Sequence, residues 1–390
     1  MKQAQMKQAQ MKQAQMTQTQ LAQTQLAQTQ AAATQMQAAA TQMIRTAEQK
    51  TEQTTMQTAA RTGTKQASAG ITIRLFGSRD YEAIVAVNNA VFPDRPSTVE
   101  EWRYDDEHFE KQYVNERYVA ARPEDGEIVG FAGLWHVPWA FDPRKFGAEI
   151  RVRPDARRQG TGLRLWRRLE EALRARDAAS VKTQVWEAMP EALAFASDLG
   201  FREVMRAWES RLDVGAFNFG AFRPALDRAL AAGVEITTLA AERETHPDRL
   251  RLLRAIEAQI GKDVPRPPDD VHTPVSFAMW MEHVVQAPWS MPEAYFIARV
   301  DGEYAGVSGL FRPQVGDWLN QGLTGVRREF RGRGIATALK VRTVEYARDL
   351  GVREIRTWNE INNQRILAIN TKFGFVRQPA WITLQKDLEG

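Results

Sequence analysis

Val152-Arg153-Pro154-Asp155-Ala156-Arg157-Arg158-Gln159-Gly160-Thr161-Gly162 and, 174 residues further on, Val326-Arg327-Arg328-Glu329-Phe330-Arg331-Gly332-Arg333-Gly334-Ile335-Ala336 are the stretches whose reading decides the fold. The leading Val-Arg pair, the arginine at 157 and 331, the glycine at 160 and 334 and the small residue at 162 and 336 all recur. Downstream, Leu199-Gly200-Phe201 faces Phe373-Gly374-Phe375 at the same 174-residue offset. Two separated landmarks sharing one gapless offset identify a tandem duplication of a unit of roughly 150 residues.

Outward from these landmarks, both halves read as the same order of elements. In the first, strand 71–76, helix 80–91 and a helical 102–109 precede a hairpin, 113–121 with 128–136. Strand 148–152 then feeds helix 162–178, where Leu163, Trp166, Leu169 and Leu173 recur at three- and four-residue spacing. Strand 181–186, helix 191–199 and strand 201–212 close the unit. The second half repeats this as strand 234–239, helix 248–260, a Pro-rich loop 265–274 and helix 275–285. A hairpin, 295–300 with 304–311, turns at Asp301-Gly302, a strong two-residue turn signal. Strand 319–326, helix 336–350, strand 354–358, helix 365–373 and strand 381–384 complete it. This order predicts an α/β (α+β) fold of two domains, each a mixed, mainly antiparallel sheet flanked by helices. The expected divisions are a tail 1–70, a first domain 71–213, a linker 214–233 and a second domain 234–390.

Composition sets the tail apart. All 11 Trp, 17 Phe and 7 Tyr of the 390-residue chain lie beyond residue 70. Residues 1–15 are Met-Lys-Gln-Ala-Gln three times over, decaying into Gln/Ala/Thr variants. An apolar residue every fifth position spirals around a helix and builds no stripe, so the tail reads as a frayed helix or disorder. Seven Lys/Arg and two Glu there leave the remaining 320 residues at a net charge of −1. The globular part thus lacks the basicity of a nucleic-acid binder. The absence of cysteine excludes disulfides and thiolate chemistry, and the five scattered histidines offer no i, i+4 metal pair. With no run of about 18 apolar residues and no secretory h-region, the expectation is a cytoplasmic protein without membrane or metal.

The chemical signal is the Gly-rich turn. Gly332, Gly334 and Ala336 remove side chains where backbone approaches a ligand, and the amides at a helix N-terminus form an anion site. Arg331 and Arg333 add charge suited to phosphate. A tight strand–helix corner with exposed arginines is the plain alternative for either turn taken alone. The lysine of a P-loop is missing, because Gly334 precedes Ile335-Ala336.

Arg-x-x-Gly-x-Gly/Ala after a Val-ended strand, with Gly-Phe forty residues on, resembles the GCN5-related N-acetyltransferase (GNAT) superfamily in tandem, mycothiol-synthase-like arrangement. The resemblance covers residues 71–212 and 234–389. It implies acetyl-CoA as co-substrate, its pyrophosphate on a turn built from Val326, Arg327, Arg331, Gly332, Arg333, Gly334, Ile335 and Ala336. Val152, Arg157, Gly160 and Gly162 are the first-half counterparts. It further implies a pantetheine arm between two splayed strands, 319–326 and 354–358, and an amine acceptor, small molecule or peptide. Members often place Asn after the fifth strand, which is Asn363 here. Many carry a Tyr four residues before the Gly of Gly-Phe, and that position is Asn370 here and Ala196 in the first half.

The halves therefore differ. Thr357, Asn359, Asn363 and Asn370 face Thr183, Val185, Met189 and Ala196. The candidate catalytic set is Asn359, Asn370 and Glu360, with chemistry in the second half. Asp317, Glu293 or a water chain compete with Glu360 as base, and Glu149 of the first half reads as a solvated strand charge. Asn363 also suits a helix cap. Trp280, Trp289, Trp318 and Phe311 could line an acceptor cleft, although such aromatics are commonly core. The reading is an acetyl-CoA-dependent N-acetyltransferase; the alternative is a non-catalytic acyl-CoA-binding or sensing protein. A homo-oligomer stays open. Because the tail has no aromatic residue or apolar face, deleting residues 1–68 is expected to leave thermal stability and CoA binding unchanged. A large drop in Tm on truncation would show instead that it packs.

Overall fold

The computed structural model describes residues 70–388, and the expectation for the tail lies outside them. In the first half, strands β1 (Thr72–Leu75), β2 (Asn115–Ala121), β3 (Ile128–Trp135), β4 (Lys145–Val152), β5 (Ser180–Trp186) and β6 (Arg202–Asp213) alternate with helices. These are α1 (Tyr81–Val91), α2 (Val99–Glu107), α3 (Thr161–Arg174) and α4 (Pro190–Asp198). The residues expected to be a plain linker contain a helix, α5 (Phe219–Ala231), whose Leu226 and Ala229 are buried. The second half contains β7 (Val234–Thr238), α6 (Leu239–Thr245), α7 (Leu250–Gly261) and α8 (Phe277–Trp280), which runs into a π-helical turn at Met281–Gln286. It continues with β8 (Ser290–Val300), β9 (Glu303–Phe311), β10 (Trp318–Val326), α9 (Ile335–Asp349), β11 (Glu354–Glu360), α10 (Gln364–Phe373) and β12 (Val376–Asp387).

Local chemistry accounts for the regular parts. Helix α3 buries Trp166, Leu169 and Leu173 of the expected stripe, but Leu163 is exposed and Leu165 takes its place in the core, one face over. The β8–β9 turn places Asp301 and Gly302 at φ 50° and 77°, the left-handed pair that a two-residue hairpin requires. Helix α2 opens with a capping box: Thr98 Oγ1 accepts from the Glu101 amide at 3.1 Å, and Glu101 accepts from the Thr98 amide at 3.0 Å. The same two side chains reach the other half, where the Thr98 hydroxyl donates to Gln314 Oε1 at 2.6 Å and Glu101 accepts from the Gln314 amide at 3.0 Å.

The described residues build one twelve-stranded sheet in the order β1-β2-β3-β4-β5-β12-β6-β11-β10-β9-β8-β7. The closing strands are exchanged. Strand β12 of the second half lies antiparallel to β5, from Trp381 opposite Trp186 to Asp387 opposite Ser180. Strand β6 of the first half pairs antiparallel with β11, from Asp213 opposite Glu354 to Ala207 opposite Glu360. The two exchanged strands also pair with each other. Strand 201–212 therefore does not close its own unit, as the order of elements suggested; it closes the other one. At 12 residues each, β6 and β12 outreach the seven-residue β5 and β11, which leaves length for two partners.

Helices cover both faces. Over the second half, α5 and α9 enclose one core with Leu319, Ile355 and Phe373, while α6–α8 enclose another with Ile297, Tyr304 and Val307 on the opposite face. Among the described residues no helix is long and apolar enough to cross a membrane.

Equivalent positions are filled by different chemistry. In the first half, Trp166 of α3 packs edge-on against Phe201, and Lys386 of the exchanged β12 stands 5.3 Å above the Trp166 ring, its ammonium donating to Leu199 O at 2.7 Å. At the matching place in the second half the lysine is on the helix instead. Lys340 of α9 is 1% exposed, its Nζ 4.9 Å from the centre of the Phe375 ring, and no carboxylate pairs with it among the described residues. Burial pushes its pKa down to about 7. Between about pH 7 and the ordinary lysine range near 10.4, the unfolded chain binds a proton that the folded chain lacks, so stability rises with pH across that window. Lys340→Met, which keeps the volume, is expected to raise stability at pH 7 by roughly 2–4 kcal/mol. It should also flatten the rise in Tm between pH 7 and 10. Unchanged Tm and slope would count against a strained ammonium.

Candidate active site

Two wedges open in the sheet where parallel neighbours part. Strands β4 and β5 pair only from Lys145–Gly147 to Ser180–Lys182, and β10 and β11 only from Trp318–Asn320 to Glu354–Arg356. Beyond these short ladders the strands diverge and leave backbone groups free to bond an extended ligand that carries its own amides. The wedges are not alike. Strand β4 runs in regular register with β3 from Gly147 opposite Trp135 to Val152 opposite Gly130. Strand β10 is irregular against β9 between Gln321 and Thr324, which takes Gly322 and Leu323 out of the ladder. A bulge of this kind frees backbone N–H groups and re-aims them.

Each wedge ends at a Gly-rich turn. Gly160 and Gly334 cap α3 and α9 at φ 80° and 77°, in the left-handed region that favours glycine, and no heavy atom lies within 4 Å of where a Cβ would stand. Space is thus open beside the glycine at the start of each helix, the end at which first-turn amides favour an anion. At the position of Gly332, with φ 81°, the first half holds Arg158 at φ 61°, a conformation costly for a side chain.

The arginines expected to hold phosphate are largely committed to the turn itself. Arg157 Nε donates to Val152 O at 3.3 Å and Arg331 Nε to Val326 O at 3.0 Å, so each folds back on the last carbonyl of its strand. Arg157 also pairs with Glu191 and Arg331 with Asp263, whose carboxyl is held well below its usual range by Arg328 and Arg331. Arg327 bonds Tyr304 O at 3.0 Å and pairs with Glu303 and Glu329. Arg333 has no ion pair among the described residues and lies 5.4 Å over the Phe330 ring. Ile335 is buried and Ala336 half-buried behind the turn, while Gly162 leaves room for Phe195.

The polar cluster of the second half is assembled as its pattern suggests, with one change. Asn370, 2% exposed, donates from Nδ2 to Asn359 Oδ1 at 2.6 Å, and its own Oδ1 is buried without a partner. Thr357 is buried on the same strand as Asn359. Asn363 occupies the N-cap of α10, but its side chain makes no capping bond; its amide donates to Glu360 O at 3.0 Å. Glu360 is engaged in that turn, its carboxylate accepting from the Asn362 amide at 2.7 Å and from Asn362 Nδ2 at 2.8 Å. Asp317 and Glu293 are exposed, and Glu149 pairs with Arg151. Trp280 is core, Trp289 packs edge-on to Tyr104, and Trp318 lies under the Arg356 guanidinium at 3.7 Å. In the first half, Ala196 stands where Asn370 stands in the second.

Glu257 is a half-buried carboxylate that the sequence pattern did not single out. Glu257 of α7 accepts from Tyr295 Oη at 2.9 Å and from Trp280 Nε1, and burial raises its pKa. The signal was an acid at helical spacing from Leu250, Leu253 and Ile260, on the side of the helix that these residues bury.

A wedge between diverging strands, a bulged central strand and an amide-lined turn at a helix start are the features of an acyltransferase. The Acetyltransferase (GNAT) family model matches residues 82–201 and 266–375, and the chain belongs to that family: it is an N-acetyltransferase enzyme. Its relatives include mycothiol acetyltransferases from Catenulispora acidiphila, 26% identical over 286 residues (69% of this chain, 81% of the relative), and from Salinispora arenicola, 26% identical over 282 residues (69% and 81%). Among solved structures, a GCN5-related N-acetyltransferase from Sphaerobacter thermophilus superposes with a TM-score of 0.58 at 21% identity, covering 82% of this chain and 96% of that one. A tandem GNAT protein from the clavulanic acid biosynthesis pathway gives 0.60 at 18% identity, covering 82% and 99%. These two likenesses concern the fold.

Because the space beside Gly334 is empty, a side chain there meets no atom of the core; it would fill the space in front of the turn and, at φ 77°, strain the turn itself. Gly334→Val is expected to weaken CoA binding at least tenfold, read by titration calorimetry, with the far-UV circular dichroism unchanged. Wild-type affinity in the folded variant would remove the turn from the binding site.

Proposed function

We propose that the protein transfers the acetyl group of acetyl-CoA to an amine acceptor and that the second half does the chemistry. The observation that carries this is the asymmetry of the wedges: the bulge in β10 and the Asn359–Asn370 pair both belong to the second. The first half keeps the turn but has a regular β4 and Ala196, which favours for it a binding or packing role without catalysis. The likeness to mycothiol acetyltransferases supports a small-molecule amine as acceptor.

In this reading the pyrophosphate lies on the amides of residues 332–336, and charge is supplied by the helix end and Arg333 more than by Arg331. The pantetheine arm enters the wedge between β10 and β11, where Asn370 Oδ1, buried and unpartnered, offers it an acceptor. Donors freed at Gly322 and Leu323 are suited to the oxyanion that forms when nitrogen attacks the thioester carbonyl. No side-chain acid stands at position 370. The leaving group does not demand one, since a thiol with a pKa near 8.5 departs as thiolate far more readily than an amine near 10.4. Most of the remaining acceleration is positioning.

Asn370→Ala and Asn359→Ala should each lower turnover at least tenfold, about 1.4 kcal/mol of transition-state stabilisation, in an assay of thiol release with a panel of amines. Arg157→Ala and Gly160→Val should change it much less. The reverse pattern would put the chemistry in the first half.

A further inference from the structure

Glu257 lies on the face of the sheet opposite α9, beside the bulge. Ile260, one turn further along α7, packs on Gly325 of β10, and Leu323 of the bulge packs into the cluster formed by Leu253, Ile256, Trp280 and Tyr295. Tyr295 crosses β9 at Gly309, where a Cβ would come within 2.5 Å of its ring; only glycine permits that approach. The carbonyl of Gly309 is in turn 3.5 Å from where a Cβ of Gly322 would stand. The carboxylate on the Tyr295 hydroxyl is thus one side chain away from the bulged backbone.

Its bonding leaves capacity unused. Tyr295 and Trp280 each donate to a different oxygen, and a carboxylate has about four acceptor sites. Among the described residues no cation forms an ion pair with it. Arg254, one turn earlier, turns away to donate to Val275 O at 2.6 Å. The titratable groups acting on the carboxylate are Tyr295 of β8 and Arg254 of its own helix. Glu282 and His283, in the turn after α8, face His108 and Asp105 of the first half instead. A carboxylate kept in an apolar cluster without a counter-ion costs stability, and such groups concentrate at functional sites.

We infer that Glu257 takes the proton from the acceptor amine, and that the acceptor is therefore an amine that arrives as an ammonium ion. The inference rests on the acetyl transfer proposed above for the second half. The ammonium gives one proton to the carboxylate, and the freed lone pair forms the C–N bond to the thioester carbonyl carbon. The C–S bond then breaks, and sulfur leaves with its electron pair. The remaining excess proton on nitrogen reaches the thiolate through solvent, and Glu257 returns its own proton to water. The upward shift of the carboxyl suits the task, since a base closer to neutrality is a better proton acceptor for an amine.

The test uses the full chain, acetyl-CoA and an amine that the wild-type protein acetylates. Glu257→Gln should lower kcat/KM about 100-fold at pH 7, the lower end of what general bases contribute, with CoA affinity retained. Its rate should rise tenfold per pH unit towards the pKa of the amine, because only free amine then reacts. Glu257→Asp should restore the acid-side limb of the profile. Tyr295→Phe removes a donor to the carboxylate, so its limb should move to higher pH. That variant decides the matter even if Glu257→Gln fails to fold: an unmoved limb would overturn the assignment. Glu257→Gln with wild-type rate and limb would do the same while leaving acetyl transfer intact. A wild-type protein that binds CoA but acetylates no amine would overturn both readings.

Discussion

The guanidinium of Arg95, in the loop before α2, reaches Glu209 at the place where strands of the two halves alternate in the sheet. Glu209 belongs to β6 and is fully buried; around the pair stand Trp186 of β5, Trp381 of β12 and Trp358 of β11, each 5.3–6.0 Å from the guanidinium. One cation thus bears on four strands contributed by both halves. Removing it would leave the buried carboxylate to Arg211 alone, whose Nε donates to Glu209 Oε1 at 2.8 Å, and would take the cation from among the three tryptophans. Everything in the two wedges depends on this centre, because the exchanged strands β6 and β12 form the walls against which β11 and β5 diverge from β10 and β4.

The helix-linking loops extend the same dependence. Residues 92–98 lie over the exchange, where Asp94 O accepts from Arg356 of β11 at 3.3 Å. The Pro-rich loop of the second half lies over the first wedge's base: Asp270 pairs with Lys182, Asp269 O accepts from Lys145 at 2.7 Å, and Thr273 donates to Trp139 O at 3.0 Å. Each half thereby covers the other's parallel strand pair, and neither wedge is complete without both halves. Such reciprocity makes the first half necessary to the sheet whatever its own wedge binds.

The difference between the halves is small in residue terms. The turn survives twice because its conformation needs only a glycine in left-handed geometry and an arginine bonded to the preceding carbonyl. The bulge, the Asn359–Asn370 bond and Glu257 all occur in the second half, on β10, β11, α7 and α10, elements distant from one another in the chain. A lysine over an aromatic ring occurs in both halves, yet it is half-buried and from β12 in one, and fully buried and from α9 in the other.

The order of elements, the duplication, the hairpin at Asp301-Gly302 and the helix stripe of α3 were legible in the sequence because each depends on neighbours a few residues apart. The turns were legible for the same reason, as were the asparagines that distinguish the second half, since they stand at one offset from residues of the first. What the tertiary structure alone decided is pairing at long range. Whether strand 201–212 closes its own sheet or its partner's is a choice between two partners of similar pattern, and alternation of side chains carries no information about it. The same holds for Arg331, whose charge reads as a phosphate ligand until Asp263 is seen beside it, and for Glu257, whose half-buried carboxylate comes near the bulge only because Gly309 lets Tyr295 lie against it.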